Sequence, residues 1–131
     1  MERCVCILFL PLKLLSTLVL SGTQKGGTTA LMKLIKMHPL IVDSKTFETH
    51  FFDYDEDMRK IRNFQNLSKA EVCDLRTSYG MKHFPVKDLI SNPHLLSFEK
   101  TPAYILDEST PAKIKAITPW YECRLTTVCR T

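Results

Sequence analysis

The stretch SGTQKGGTTALMKLIKMHP, Ser21 to Pro39, carries two glycines five residues apart, Gly22 and Gly27, with a lysine between them. A threonine pair, Thr28 and Thr29, then opens an amphipathic run. These are the parts of an anion-binding loop. Glycines let successive amides turn towards a phosphate, and the N-terminus of the following helix adds about half a positive charge. The ATP-binding form of such a loop reads G-x-x-x-x-G-K-S/T. Here Gly22 and Gly27 hold the glycine positions and Thr29 the final hydroxyl, but Thr28 stands where the ATP loop has its lysine. The cation, Lys25, rises instead from within the loop, beside the first bound phosphate. The backbone half of a phosphate site is kept, and its charge is moved.

GTQKGGTTAL resembles the phosphosulfate-binding loop of sulfotransferases that use 3′-phosphoadenosine 5′-phosphosulfate (PAPS), above all the glycosaminoglycan and carbohydrate branch with the heparan sulfate glucosaminyl N- and 3-O-sulfotransferases. By this resemblance the amides of Gly26, Gly27, Thr28 and Thr29, with the two threonine hydroxyls, hold the 5′-phosphate. Lys25 contacts the bridging oxygen, where in-line sulfuryl transfer develops negative charge. No metal is implied, because the donor's terminal group is a singly charged sulfate. ETHFFD, Glu48 to Asp53, is similar to the family segment whose glutamate is the general base. That makes Glu48 the base, with His50 and Asp53 lining the acceptor side and Phe51 and Phe52 in the core. FEKTPAY, Phe98 to Tyr104, looks like the family's E-K-S/T-x-x-Y segment. It assigns Lys100 to the acceptor or the transferring sulfate and leaves Glu99 and Tyr104 structural. CRLTTVCRT is similar to a strand whose terminal arginine, here Arg130, holds the 3′-phosphate together with a serine that this sequence does not contain. The resemblance implies PAPS as co-substrate, a carbohydrate hydroxyl or amine as acceptor, and no nucleic-acid partner. Each residue also has a plainer reading: a helix start that binds nothing, a solvated Glu48, a packing or capping His50, a surface Lys100.

A phosphate loop must follow a buried parallel strand, and Leu15–Leu20 reads as one. Thr28–Met37 reads as a helix with Leu31, Leu34, Ile35 and His38 on its buried face and Pro39 at its end. Leu40–Val42 is a second strand, and DSKTFETHFFDYDED a loop. Asp55–Phe64 is a short helix. SKAE, Ser68 to Glu71, is a capping box before a helical face of Val72, Leu75 and Tyr79. Leu95–Phe98 is a third strand. Thr110 caps a helix over Pro111–Ile117, which Pro119 stops, and Cys123–Arg130 has strand composition. Strands alternating with helices give the α/β class: a P-loop-like, three-layer parallel sheet with crossover helices, cut short of a full sulfotransferase domain.

The 131 residues, 44% apolar, suit one domain, and a net charge of +4 suits an anionic ligand only weakly. Cys4, Cys6, Cys73, Cys123 and Cys129 match neither a zinc site nor a redox pair, and their spread reads as thiols. Arg3 and the apolar run behind it make residues 1–14 a hydrophobic leader or clipped membrane anchor, which would place the protein at a Golgi or other secretory-pathway membrane. Residues 15–131 then form the N-terminal part of a sulfotransferase domain. Without the rest of the acceptor wall, no turnover is expected of the chain by itself. Two rival readings follow: a non-catalytic remnant that at most binds nucleotide or sulfated glycan, and a nucleoside-phosphate kinase with an aberrant loop. The kinase requires an aspartate on a strand for Mg²⁺, and none of the expected strands ends in one.

Overall fold

A computed structural model describes residues 18–22 and 24–118. The expected leader, the Cys123–Arg130 strand and Arg130 itself lie outside these residues, as do all the cysteines except Cys73, which is buried. Three strands, β1 (Leu18–Leu20), β2 (Ile41–Asp43) and β3 (Leu96–Lys100), form a parallel sheet in the order β1-β3-β2. The α/β class with a parallel sheet is therefore borne out. β3 is central, and its Ser97, Phe98, Glu99 and Lys100 are all buried, as expected of a parallel strand covered on both faces. Among the described residues, no helix is long and apolar enough to cross a membrane.

Helix α1 (Thr28–Lys36) follows the glycine loop. Its buried residues are Thr28 and Met32, whereas Leu34 and His38 of the expected stripe are exposed. Leu31, Met32, Leu34 and Ile35 offer two overlapping apolar stripes, and docking against β2 selects the one through Thr28 and Met32. β2 runs one residue further than expected and does end in an aspartate. Aspartate is disfavoured in strands, so an apolar run ending at Val42 gives no local sign that Asp43 belongs to β2. Its carboxylate pairs with Lys36 at 2.8 Å and accepts from the Ser44 amide.

The loop expected after β2 contains a helical turn, α2 (Phe51–Tyr54). The helix expected over Asp55–Phe64 is two pieces, α3 (Glu56–Arg59) and a 3₁₀ turn (Phe64–Asn66). Asp55 and Asn63 each accept from the amide two residues on, and each such cap starts a new element. Helix α4 (Lys69–His83) begins with the expected capping box, Ser68 and Glu71 bonding each other's backbone amides. Helix α5 (Val86–Ser91) was not foreseen, and Pro85 ahead of it was its local signal. A 3₁₀ segment (Pro102–Leu106) follows β3, and helix α6 (Thr110–Ile117) ends the described chain. Thr110 is the first residue of α6, not its cap; its hydroxyl is buried without a partner among the described residues.

The core lies where α2, α4 and α6 meet one another and Tyr104 of the 3₁₀ segment. Phe51 stacks on Tyr79 at 4.6 Å, and Phe52 meets Tyr79 and Tyr104 edge-on. Both phenylalanines are buried, as expected. Burying each such ring stabilises the fold by about 1.5–3 kcal/mol. His83 sits at the rim of this cluster, 5.8 Å from Phe51 and 6.0 Å from Tyr79. Both its ring nitrogens are buried without a hydrogen-bond partner among the described residues. Burial pushes its pKa below the ordinary histidine value; Asp55 opposes this, and Lys82 and Lys45 add to it. The folded state therefore favours the neutral ring. Its contribution to stability is complete above the unfolded-state value of about 6.5 and is lost as pH falls through it, because the unfolded chain takes the proton first. Urea unfolding should show a midpoint that drops from pH 7.5 to 5.5, and His83→Phe should flatten that drop. An unchanged slope in the variant would remove His83 from the account.

Candidate functional site

All three parallel strands deliver their following segments to one edge of the sheet, the carboxyl edge, where open α/β sheets bind ligands. β1 ends at Leu20, directly opposite Lys100 of β3. The glycine loop thus leaves the sheet beside the lysine that the family-like segment supplies. Two backbone bonds fasten them: the Thr101 amide donates to Leu20 (3.1 Å) and the Ile105 amide to Ser21 (3.0 Å). Gly22 is needed here, since a Cβ on it would come within 2.8 Å of Ile105 Cγ2.

Within the loop, Gly27 takes a left-handed conformation (φ 84°) and opens α1 with no side-chain cap. Among the described residues no side chain caps the first amides of α1, and the N-terminus of a helix is where an anion can be held. Lys25, Gly26 and Thr29 are exposed, and Thr28 is buried under the helix. Backbone amides at a helix N-terminus and the exposed Lys25 ammonium make a donor set suited to an anionic group. Among the described residues, no cluster of side chains could hold a metal ion.

β2 delivers the second segment. Glu48 Oε1 accepts from Lys100 Nζ at 2.9 Å, and its Oε2 lies 3.2 Å from His50 Nε2. His50 Nδ1 is 2.9 Å from Asp53 Oδ2. The four residues make one chain of contacts, Asp53–His50–Glu48–Lys100. The Lys100 side chain is 2% exposed, so it is no surface lysine, and those of Glu48 (27%) and His50 (33%) are the members that meet solvent. The structure thus joins Glu48, His50, Asp53 and Lys100, and places Lys25 to Thr29 at the same sheet edge. It also brings in Phe47, which the sequence did not single out. The Lys100 ammonium lies 3.7 Å from the Phe47 ring centroid, a cation–π contact. An isolated aromatic in a polar loop has no local signature of that role.

Among the described residues, the non-glycine residues with positive φ are Lys25 (63°) and His50 (50°). Each costs about 1–3 kcal/mol of backbone strain, which persists only where surrounding contacts enforce it. Both belong to the family-like segments.

No family model matches the chain. Curated proteins do. It is 31% identical over 96 residues to heparan sulfate glucosamine 3-O-sulfotransferase 5 of Mus musculus, a stretch covering 73% of this chain and 22% of that protein. It is 30% identical over 107 residues to heparan sulfate glucosamine 3-O-sulfotransferase 3B1 of Homo sapiens, covering 80% of this chain and 21% of that protein. The chain resembles the heparan sulfate 3-O-sulfotransferases. It spans about a fifth of the length of these sulfotransferases.

Proposed function

We propose that this chain carries the donor loop and base of a sulfotransferase that moves a sulfuryl group from PAPS to a hydroxyl or amine of a carbohydrate, glycosaminoglycan-like acceptor. The observation that carries the reading is the junction of the three family-like segments at one carboxyl edge, with Glu48 held 2.9 Å from Lys100 beside the loop that leaves β1. In this reading the amides of Gly26 to Thr29 and the threonine hydroxyls bind the 5′-phosphate. Glu48 takes the proton of the acceptor as the new bond to sulfur forms. The bond from sulfur to the bridging oxygen breaks, and Lys25 neutralises the charge that develops on that oxygen. Lys100 helps place the sulfuryl group, and His50 with Asp53 lines the acceptor side. Arg130 is assigned to the 3′-phosphate by resemblance alone. With residues 1–14 as a leader or anchor, the work would be done at a Golgi or other secretory-pathway membrane.

The end of β2 in Asp43 removes one argument against a kinase, so the nucleotide preference carries the test. The loop lacks the ATP lysine at position 28, and both Asp43 carboxylate oxygens are engaged by Lys36 and Ser44. Calorimetric titration should show tighter binding of 3′-phosphoadenosine 5′-phosphate than of ATP, with no gain for ATP from Mg²⁺. Equal or tighter ATP binding that Mg²⁺ strengthens would favour the kinase. Labelled PAPS with desulfated glycosaminoglycans then tests transfer itself.

A further inference from the structure

Glu99 is fully buried, and the partners of its carboxylate are four hydroxyls. Tyr79 donates to Oε1, and Thr49 donates to Oε2 through a short bond. Thr101 (3.1 Å) and Tyr104 (3.3 Å) also donate to Oε2. Three of these hydroxyls accept in turn from the backbone of one short segment. The amides of Thr49 (3.1 Å) and His50 (3.5 Å) donate to Thr101 Oγ1. That of Phe51 donates to Thr49 Oγ1 and that of Phe52 to Tyr104 Oη, both at 3.4 Å. The Thr49 and Tyr104 hydroxyls also lie 2.9 Å apart, and either can donate; the other links run from backbone amide to hydroxyl to carboxylate. A hydroxyl has one proton to give, and an ionised carboxylate only accepts, so the carboxylate sets the direction of those links.

The relay sits across β3 from the site. Successive side chains of a strand point to opposite faces. Lys100 meets Glu48, and Glu99 meets Thr49, so two neighbouring residues of β3 grip two neighbouring residues of the loop from opposite sides. We propose that Glu99 is a positioning residue: through Thr49, Thr101 and Tyr104 its carboxylate holds the backbone of residues 49–52, and so keeps Glu48 on Lys100 and the strained His50 on Glu48. The inference rests on the sulfuryl-transfer reading for its catalytic consequence. Burial raises the Glu99 pKa above the ordinary glutamate value, and the bonds from the four hydroxyls oppose that rise only in part.

Glu99→Gln keeps the volume but turns a donating NH₂ towards hydroxyls whose lone pairs already serve the backbone. Thr49→Val removes one relay hydroxyl and leaves Glu99 intact; Thr49→Ser restores it. Amide hydrogen exchange of the chain, resolved by residue, should quicken at 49–52 by about tenfold or more in Glu99→Gln and Thr49→Val, with α4 amides within about threefold and Thr49→Ser close to the parent. Binding of 3′-phosphoadenosine 5′-phosphate should stay within about twofold, because the glycine loop is held by other bonds. Turnover should fall in kcat with the donor KM kept, and Glu99→Gln should add little in a Glu48→Gln background, since it acts through Glu48. Unchanged exchange at 49–52 would overturn the proposal. So would equal loss of protection in α4, which would leave Glu99 a fold residue only, or losses that multiply in the double variant. Turnover is read in the chain extended to a full sulfotransferase domain, since none is expected of the chain by itself; if the extended chain transfers no sulfuryl group, the functional reading fails by itself, and the exchange experiment still decides whether Glu99 positions the segment.

Discussion

In the chain extended to a full sulfotransferase domain, Glu48→Gln is expected to lower sulfuryl transfer by about 10²–10⁴-fold, the range associated with a positioned general base. The acceptor's proton must leave as the bond to sulfur forms, and an amide cannot take it. Gln is the informative replacement because of Lys100, whose ammonium is buried and paired with Glu48. Truncation to Ala would leave that charge without its partner, at a cost to stability of about 3–5 kcal/mol. A Gln carbonyl can still accept from Lys100 Nζ and can occupy the same 2.9 Å contact. Gln keeps the hydrogen bond but not the charge, so Tm should fall less than in Glu48→Ala while kcat collapses. An active Gln variant with an intact fold would return Glu48 to the role of ion-pair partner for Lys100.

In the same extended chain, Lys25→Ala is expected to reduce turnover by about 10²–10³-fold, comparable to removing one preorganised group that meets developing charge. Binding of 3′-phosphoadenosine 5′-phosphate should weaken far less. The lysine's partner is the charge that grows on the bridging oxygen during transfer, and only interactions stronger in the transition state than in the ground state raise kcat. Alanine suits the test because it keeps a Cβ at the left-handed position, φ 63°, so the backbone demand is unchanged and the ammonium alone is removed. Glycine would also relieve that strain and confuse the two effects. Because Lys25 is exposed, little packing is lost in either case. Turnover within a few-fold of the parent would show that the loop binds its anion without assisting departure.

Much of the scaffold was legible because its causes are local. A Ser and a Glu three residues apart bond each other's amides wherever a helix begins, and Ser68 and Glu71 do so here. Apolar runs alternating with helical periods implied parallel strands with crossovers, and β1, β2 and β3 are parallel. The glycine spacing and the placement of Lys25 could be read directly, because backbone turning and helix polarity need no distant partner. The same locality explains the errors. Two apolar stripes on α1 are equivalent until a strand is set against one of them. Asp43 is a poor strand residue by propensity, yet pairing with Phe98 places it in β2.

The sequence by itself determined the kinds of group available at the site: an anion loop with a displaced cation, a glutamate and histidine next to paired phenylalanines, and a lysine at the end of an apolar run. Only the tertiary structure decided that Glu48 meets Lys100, 52 residues away, and that Thr49 meets Glu99, 50 residues away. No propensity or spacing encodes a contact across such a separation. It exists because β3 lies between β1 and β2, and the relay beneath it exists because burial leaves the Glu99 carboxylate no water and obliges it to take hydroxyls from three separate stretches, the loop after β2, α4 and the turn after β3.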